Sequence, residues 1–162
     1  DHGMVDVSEQ KVINIDDYNL TGKLDGRGPV MNYKELNKDI NFIFDSNIPH
    51  VNIVSSVQNS KLHFHNLLYD FLLIADEGWM LYTNKDLELY NRKLPVKGMH
   101  GYSTESMNMH AIFYAYGPKF KTGFEINTFE LIHIYPMLCK LLEISPYNDI
   151  DGKLEVLNPI LR

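Results

Sequence analysis

What this chain of 162 residues lacks narrows the possibilities first. It has a single cysteine, Cys139, so no disulfide can close within it and the redox compartment stays open. It has no run of Lys or Arg, and 15 basic against 21 acidic residues leave a formal charge of −6 and a pI near 5.6. A surface built to follow a phosphate backbone is thereby excluded, and with it a nucleic-acid scaffold as partner. The longest unbroken apolar stretches, Phe71 to Ala75 and Ala111 to Tyr116, fall far short of the roughly 20 residues that span a bilayer. No internal repeat, low-complexity tract or Gly/Ser-rich linker divides the chain, so one domain or part of one is expected.

What remains is a series of short apolar runs set between helical patterns. Lys11 to Ile15 and Gly28 to Tyr33 read as short strands, the second opened by a Gly-Pro turn. Tyr33 to Ser46 carries Leu36, Ile40 and Ile43 at helical spacing, and His50 to Val57 alternates as a half-buried strand does. Tyr69 to Tyr82 breaks at an acidic turn, Asp76-Glu77-Gly78, which suits a strand buried on both faces. His110 to Phe120 repeats that pattern and ends at Gly117-Pro118. The tail from His133 to Ile144 carries Ile134, Leu138, Leu141 and Leu142 on one stripe, with Pro136 suited to a first helical turn. Buried strands interleaved with helices predict an α/β layered architecture.

Seven histidines carry most of the candidate chemistry: His2, His50, His63, His65, His100, His110 and His133. His63 and His65 would alternate onto one strand face and could grip a metal there, although no acidic or cysteine partner lies near. His110 would be a polar contact at a strand end, and His133 would cap the last helix or face solvent. His2 and His100 stand in a different setting. The opening "DHGM" joins the Asp1 carboxylate to an imidazole, and Gly3 lets the backbone turn close to an ion without a side-chain clash. "MHGY" (Met99 to Tyr102) again places a glycine directly after its histidine. Separately, Asn19-Leu20-Thr21 is a sequon, which makes Asn19 a candidate glycan acceptor.

"DHGM", "ADEGW" (Ala75 to Trp79), "HGY" (His100 to Tyr102), "MHAIFYAYGPKFK" (Met109 to Lys121) and "IYPMLCKLLEISP" (Ile134 to Pro146) follow one another along almost the whole chain. In order and spacing they resemble the ecto-nucleotide pyrophosphatase/phosphodiesterase family. That resemblance implies an α/β fold with an alkaline-phosphatase-like layered sheet and helices on both faces. It also implies two zinc ions, Zn2+, that hold a phosphate oxygen between them and offset charge on the leaving group. Carried over by motif, Asp1 and His2 would bind one zinc, together with a threonine nucleophile, and His100 the other. Trp79 is expected to pack, and Asp76 and Glu77 are available to steady a metal-bound histidine. Lys119 and Lys121 are expected in solvent.

Three ligands cannot fill two roughly fourfold zinc sites. None of Thr21, Thr83, Thr104, Thr122 and Thr128 stands in a setting like the family's nucleophile motif. By resemblance, residues 1–162 are therefore expected to be the C-terminal portion of a single catalytic domain that is inactive alone. The N-terminal part of the same protein would be its partner, supplying the nucleophile and the remaining ligands. The implied activity is zinc-dependent hydrolysis of phosphodiester or pyrophosphate bonds in nucleotides or in a phosphocholine- or lipid-type ester. Gly26 to Val30 resembles the choline-phosphodiesterase branch. The implied setting is extracellular, secreted or tethered by a segment outside this chain. The alternative of another class is an inactive family member that serves as a binding or interaction module; joint retention of Asp1, His2 and His100 favours the enzyme.

Overall fold

Apolar stretches separated by glycine, proline and acidic turns fold here into short strands. The computed structural model describes residues 2–36, 41–55, 62–63, 68–93 and 95–162, the side chains of residues 41 and 42 excepted. Its strands are β1 (Val5–Asp6), β2 (Val12–Asn14), β3 (Lys23–Arg27), β4 (Val30–Lys34), β5 (Val51–Ser55), β6 (Phe71–Ala75), β7 (Met80–Tyr82) and β8 (Gly98–Met99). Its α-helices are α1 (Asn41–Asp45), α2 (Asn84–Leu89), α3 (Ile134–Leu141) and α4 (Leu154–Leu157). The chain divides into two compact units, Asp1–Ile112 and Phe113–Arg162.

The first unit is built on a four-stranded antiparallel sheet in the order β3-β4-β6-β5. Alternation along β4 sends Met31 and Tyr33 to one face, where both are wholly buried. The expected doubly buried strand is β6, lying between β4 and β5, with Phe71, Leu73, Ile74 and Ala75 all buried. β3 carried no apolar signal, because Lys-Leu-Asp-Gly-Arg is polar and mostly exposed. It forms because it is the outer arm of a hairpin. Arg27 pairs with Val30, leaving Gly28-Pro29 as a two-residue loop in which Gly28 adopts φ +89. Asp70 then closes the other end of β4, accepting from Lys34 Nζ at 2.8 Å and from the Glu35 N–H at 3.0 Å.

β7 runs parallel to β2, and Leu81 exchanges two backbone bonds with Gly28 at the hairpin tip, at 2.8 and 2.7 Å. The chain then turns into α2 through a capping box. The Thr83 hydroxyl accepts from the Asp86 N–H at 3.2 Å, and the Asp86 carboxylate accepts from the Thr83 N–H at 3.1 Å. Arg27 reaches the same carboxylate at 2.8 Å.

Several expectations change. The helix expected from Tyr33 begins later, because Tyr33 and Lys34 pair with β6 or β3 as the end of β4. Residues 37–40 lie outside the described residues, and α1 keeps only Asn41–Asp45. Leu62 and His63 form a turn with His63 at φ +48 rather than a strand, and His65 lies outside the described residues. The strand expected from His110 to Phe120 is absent: only Phe120 makes a bridge, to Leu161. An apolar run alone does not make a strand, since its backbone groups need a neighbour to pair with. Ile112, Tyr114 and Tyr116 are left exposed as a result.

In the second unit, α3 begins two residues before Pro136, as expected. Its buried stripe is shifted from the expected one, since Leu138 and Leu142 are exposed. Ile134, Met137 and Leu141, spaced by three and four, instead pack with Leu157, Ile160 and Leu161. His133 stands at the N-cap position of α3, as expected, but makes no side-chain cap bond there and is not a surface residue. It is buried, and its Nδ1 accepts the Lys153 N–H at 3.0 Å at the entrance to α4. Lys121 is exposed but engaged: its Nζ donates to the Pro159 carbonyl at 2.6 Å and its N–H to the Ile160 carbonyl at 2.9 Å.

Leu73, wholly buried in the middle strand, sets the scale of this core. In chemical denaturation, Leu73→Ala is expected to cost about 2–5 kcal/mol, the range for emptying a buried leucine site. The exposed Leu36→Ala is expected to stay within about 0.5 kcal/mol. Equal losses at the two positions would contradict the assigned core.

Candidate metal centre

Two glycines and a two-residue ladder bring the ends of this site together. β1 pairs antiparallel with β8, Val5 opposite Met99 and Asp6 opposite Gly98. A Cβ at Gly98 would stand 2.7 Å from the sulfur of the exposed Met4, so a larger residue there would require that side chain to swing aside. The same register, extended past the ladder, runs the residues before β1 alongside those after β8. His2 and His100 meet there: their rings stack with centroids 3.6 Å apart and planes 24° from parallel.

Each histidine is exposed but held by its neighbours. His2 Nδ1 donates to the Gly3 carbonyl at 2.8 Å, which leaves Nε2 as the nitrogen with an electron pair to give a cation. The Gly3 N–H donates in turn to the Met109 carbonyl at 3.3 Å. A Cβ on Gly3 would lie 1.8 Å from the Asn108 carbonyl oxygen, so this glycine makes room for protein backbone. After His100, Gly101 turns at φ +95 and Tyr102 drops into the core. The Tyr102 hydroxyl donates to the Met80 sulfur at 3.6 Å, and burial pushes its pKa up to about 12.

The acidic turn between β6 and β7 divides its two carboxylates between different tasks. Asp76 takes His50 Nδ1 at 3.1 Å and Asn52 Nδ2 at 3.2 Å, while His50 stacks on Trp79 with centroids 3.9 Å apart. Trp79 also packs against the core, as expected. Glu77 faces the other way, accepting from the Ser106 hydroxyl and from Asn108 Nδ2 at 2.6 Å. Those two bonds, with the Lys11 charge adding, hold its carboxyl below the usual carboxylate range. An open cleft of about 390 Å³ runs between Met4, Lys11, Glu77 and Asn108, and neither His2 nor His100 lines it.

Of the expected ligands, then, His2 and His100 lie side by side, while Asp1 lies outside the described residues. Among the described residues no three His, Cys, Asp or Glu side chains come close enough together to hold a metal. A pair of imidazoles, one with its tautomer set by a backbone carbonyl, fits zinc as part of a donor set and not as a whole one. Three of the five threonines have other work: Thr83 caps α2, Thr21 donates to Glu35 at 3.2 Å, and Thr122 accepts from Arg162 at 3.3 Å. Asn19 is exposed, at φ +50. Ser106 and Asn108 carried no sequence signal, since nothing near them in the chain marks them as partners of Glu77.

Residues 1–103 match the family model described as type I phosphodiesterase / nucleotide pyrophosphatase. The chain belongs to that family. Human bis(5'-adenosyl)-triphosphatase is 29% identical over 154 residues, covering 91% of this chain and 32% of that protein. The venom phosphodiesterase of Macrovipera lebetinus is 33% identical over 165 residues, covering 90% and 18%. The chain thus spans a third or less of the length of these curated relatives. The solved structure of human ectonucleotide pyrophosphatase / phosphodiesterase 5 matches the whole chain with a TM-score of 0.80 and 26% identity, over 44% of its own length. An inactive variant of the murine counterpart in complex with AMP matches with a TM-score of 0.78. The mixed fold of sheet and helix is the alkaline-phosphatase-like one expected from the motifs.

The buried Tyr102 gives this phosphodiesterase-family chain a marked alkaline limit. Its folded pKa is above the ordinary value near 10, so its stabilising contribution is complete below about pH 10 and is lost as pH rises through about 12. Tyr33, buried beside Glu35 and pushed up to about 12 as well, adds to the same fall. Thermal melts from pH 8 to 12 are expected to show a stability loss concentrated between about 10 and 12 that Tyr102→Phe reduces. A melt profile identical in the variant would contradict the assignment.

Proposed function

We propose that His2 and His100, with Asp1, are ligands of a two-zinc centre that hydrolyses phosphodiester or pyrophosphate bonds. The reading rests on one observation above all, the stacking of two exposed imidazoles from chain positions 2 and 100. The β1–β8 ladder brings two exposed histidines together from distant segments, and a pair of cations shared by one phosphoryl group requires ligands gathered in that way. Bound there, zinc would act as a Lewis acid toward a phosphoryl oxygen. This chain's own part is to bind and orient. The Gly3 carbonyl sets the His2 tautomer, so that Nε2 would be the nitrogen to hold a cation, and Tyr102 anchors the segment that carries His100. The threonine nucleophile and the remaining ligands would come from the N-terminal part of the same protein, outside these 162 residues.

The names of the relatives support nucleotides as substrates: one is a bis(5'-adenosyl)-triphosphatase, and one solved neighbour holds AMP. They also support an extracellular setting, since relatives are named as ectonucleotide enzymes or come from venom. Among the described residues no helix is long and apolar enough to cross a membrane. The exposed Asn19 fits a glycan acceptor in that setting. When the protein is made through a secretory pathway, glycosidase treatment is expected to lower its mass, and Asn19→Gln is expected to remove that part of the shift. A mass untouched by both would dismiss the glycan.

For the intact protein, elemental analysis is expected to give two zinc ions per catalytic domain, and a chromogenic nucleotide phosphodiester is expected to turn over until a chelator is added. His100→Ala should cut turnover by at least about a hundredfold and lower zinc content, since even partners of ligands cost 10- to 100-fold. Its melting temperature in excess zinc should hold. Metal-free protein without turnover would favour a binding module instead.

A further inference from the structure

The turn formed by Met107–Met109 stands directly behind Gly3, and its own backbone bonds are local. Ser106 N–H reaches the Ser103 carbonyl at 3.0 Å, Met109 N–H the Ser106 carbonyl at 3.0 Å, and His110 N–H the Met107 carbonyl at 3.2 Å. Such a turn has little to fix its position against the rest of the unit. Two tethers supply it: the Gly3 N–H to the Met109 carbonyl, and the Glu77 carboxylate, which accepts from both Ser106 and Asn108. Met109 also packs against the core.

We propose that Glu77 is a positioning residue for the paired histidines, setting the His2 ring through the 106–109 turn and the backbone of Gly3. The path is continuous. Glu77 holds the Asn108 side chain at 2.6 Å, and the Asn108 carbonyl occupies the space where a Gly3 side chain would otherwise stand. The Gly3 carbonyl takes the His2 Nδ1–H at 2.8 Å. Any displacement of the Asn108 carbonyl is passed to Gly3 and then to the ring. The carboxylate accepts two donors at once, and as a charged acceptor it makes the stronger kind of hydrogen bond. Glutamine cannot replace it fully: its oxygen can accept from Asn108 and its amide can donate to the Ser106 hydroxyl oxygen, but the charge that strengthens both bonds is lost. Asp76 does not share this role, being committed to His50 and Asn52 on the other side of the turn.

The role in metal binding rests on the zinc reading above; the positioning of the rings does not. The test therefore uses the whole protein with two kinds of readout. In metal-free protein, Glu77→Ala is expected to change the imaging of both rings by NMR, seen as shifted imidazole proton resonances of His2 and His100. In the loaded enzyme it is expected to weaken zinc about tenfold in chelator competition, to alter the visible spectrum of the cobalt-substituted form, and to lower kcat more than it raises KM. Glu77→Gln should fall between, and Asn108→Ala should reproduce the pattern. The melting temperature in excess zinc should stay near that of the unmodified protein. A fall in melting temperature with unchanged imidazole resonances would make Glu77 merely structural and overturn the proposal, as would variants indistinguishable from the parent. Shifted resonances in a protein that binds no zinc would leave the positioning role standing and remove the zinc reading.

Discussion

The pairing of β1 with β8 is the contact on which the candidate centre depends. It is only two residues long, yet it joins the start of the first unit to a segment nearly at its end. A ladder of that length has little strength of its own, because so few backbone bonds offset the closure of so long a loop. Its stability is borrowed. Val5 and Met99, which face each other in it, both pack against the core cluster that includes Leu73 and Tyr102. The hydrophobic core thus holds the ladder, and the ladder holds the histidines.

The "DHGM" and "HGY" segments share a division of labour. In each, a glycine follows the histidine, but the two glycines do different things. Gly3 is where another backbone comes too close for a Cβ, whereas Gly101 has open space around it and serves through its positive φ. His–Gly reads identically in both motifs, and only the fold separates the close approach from the turn. Tyr102 completes the second motif by burying its ring two residues beyond an exposed ligand candidate.

What was legible in the sequence had a local cause. The Gly-Pro turn that opens Gly28 to Tyr33, the apolar run from Phe71 to Ala75 and the Pro136 helix start each carry their own signal, and a strand or helix formed at each. The pairing of "DHGM" with "HGY" was legible through family resemblance. β3 was not legible, because a polar strand is specified by its hairpin partner and turn rather than by its own residues. The stretch from His110 to Phe120 erred in the opposite direction: its apolar run reads as a buried strand, but among the described residues only Phe120 finds a bridge partner. His133 stands at the helix start, as its position suggested, but its burial and its bond from the Lys153 N–H were not legible, being set by the return of the chain through α4.

The acidic turn shows most clearly how little side-chain identity says without direction. Asp76 and Glu77 are adjacent carboxylates, and before folding either could serve a histidine in the candidate centre. On a turn that leaves β6, successive side chains diverge, and Gly78 at φ +83 then redirects the chain into β7. Asp76 is thereby committed to His50, which stacks on Trp79, while Glu77 is turned toward the loop behind Gly3. Two adjacent carboxylates thus serve different partners, one a histidine stacked on an indole and the other the loop behind Gly3. Neither carboxylate is hydrogen-bonded to His2 or His100, so any influence Glu77 has on them must travel through the backbone between.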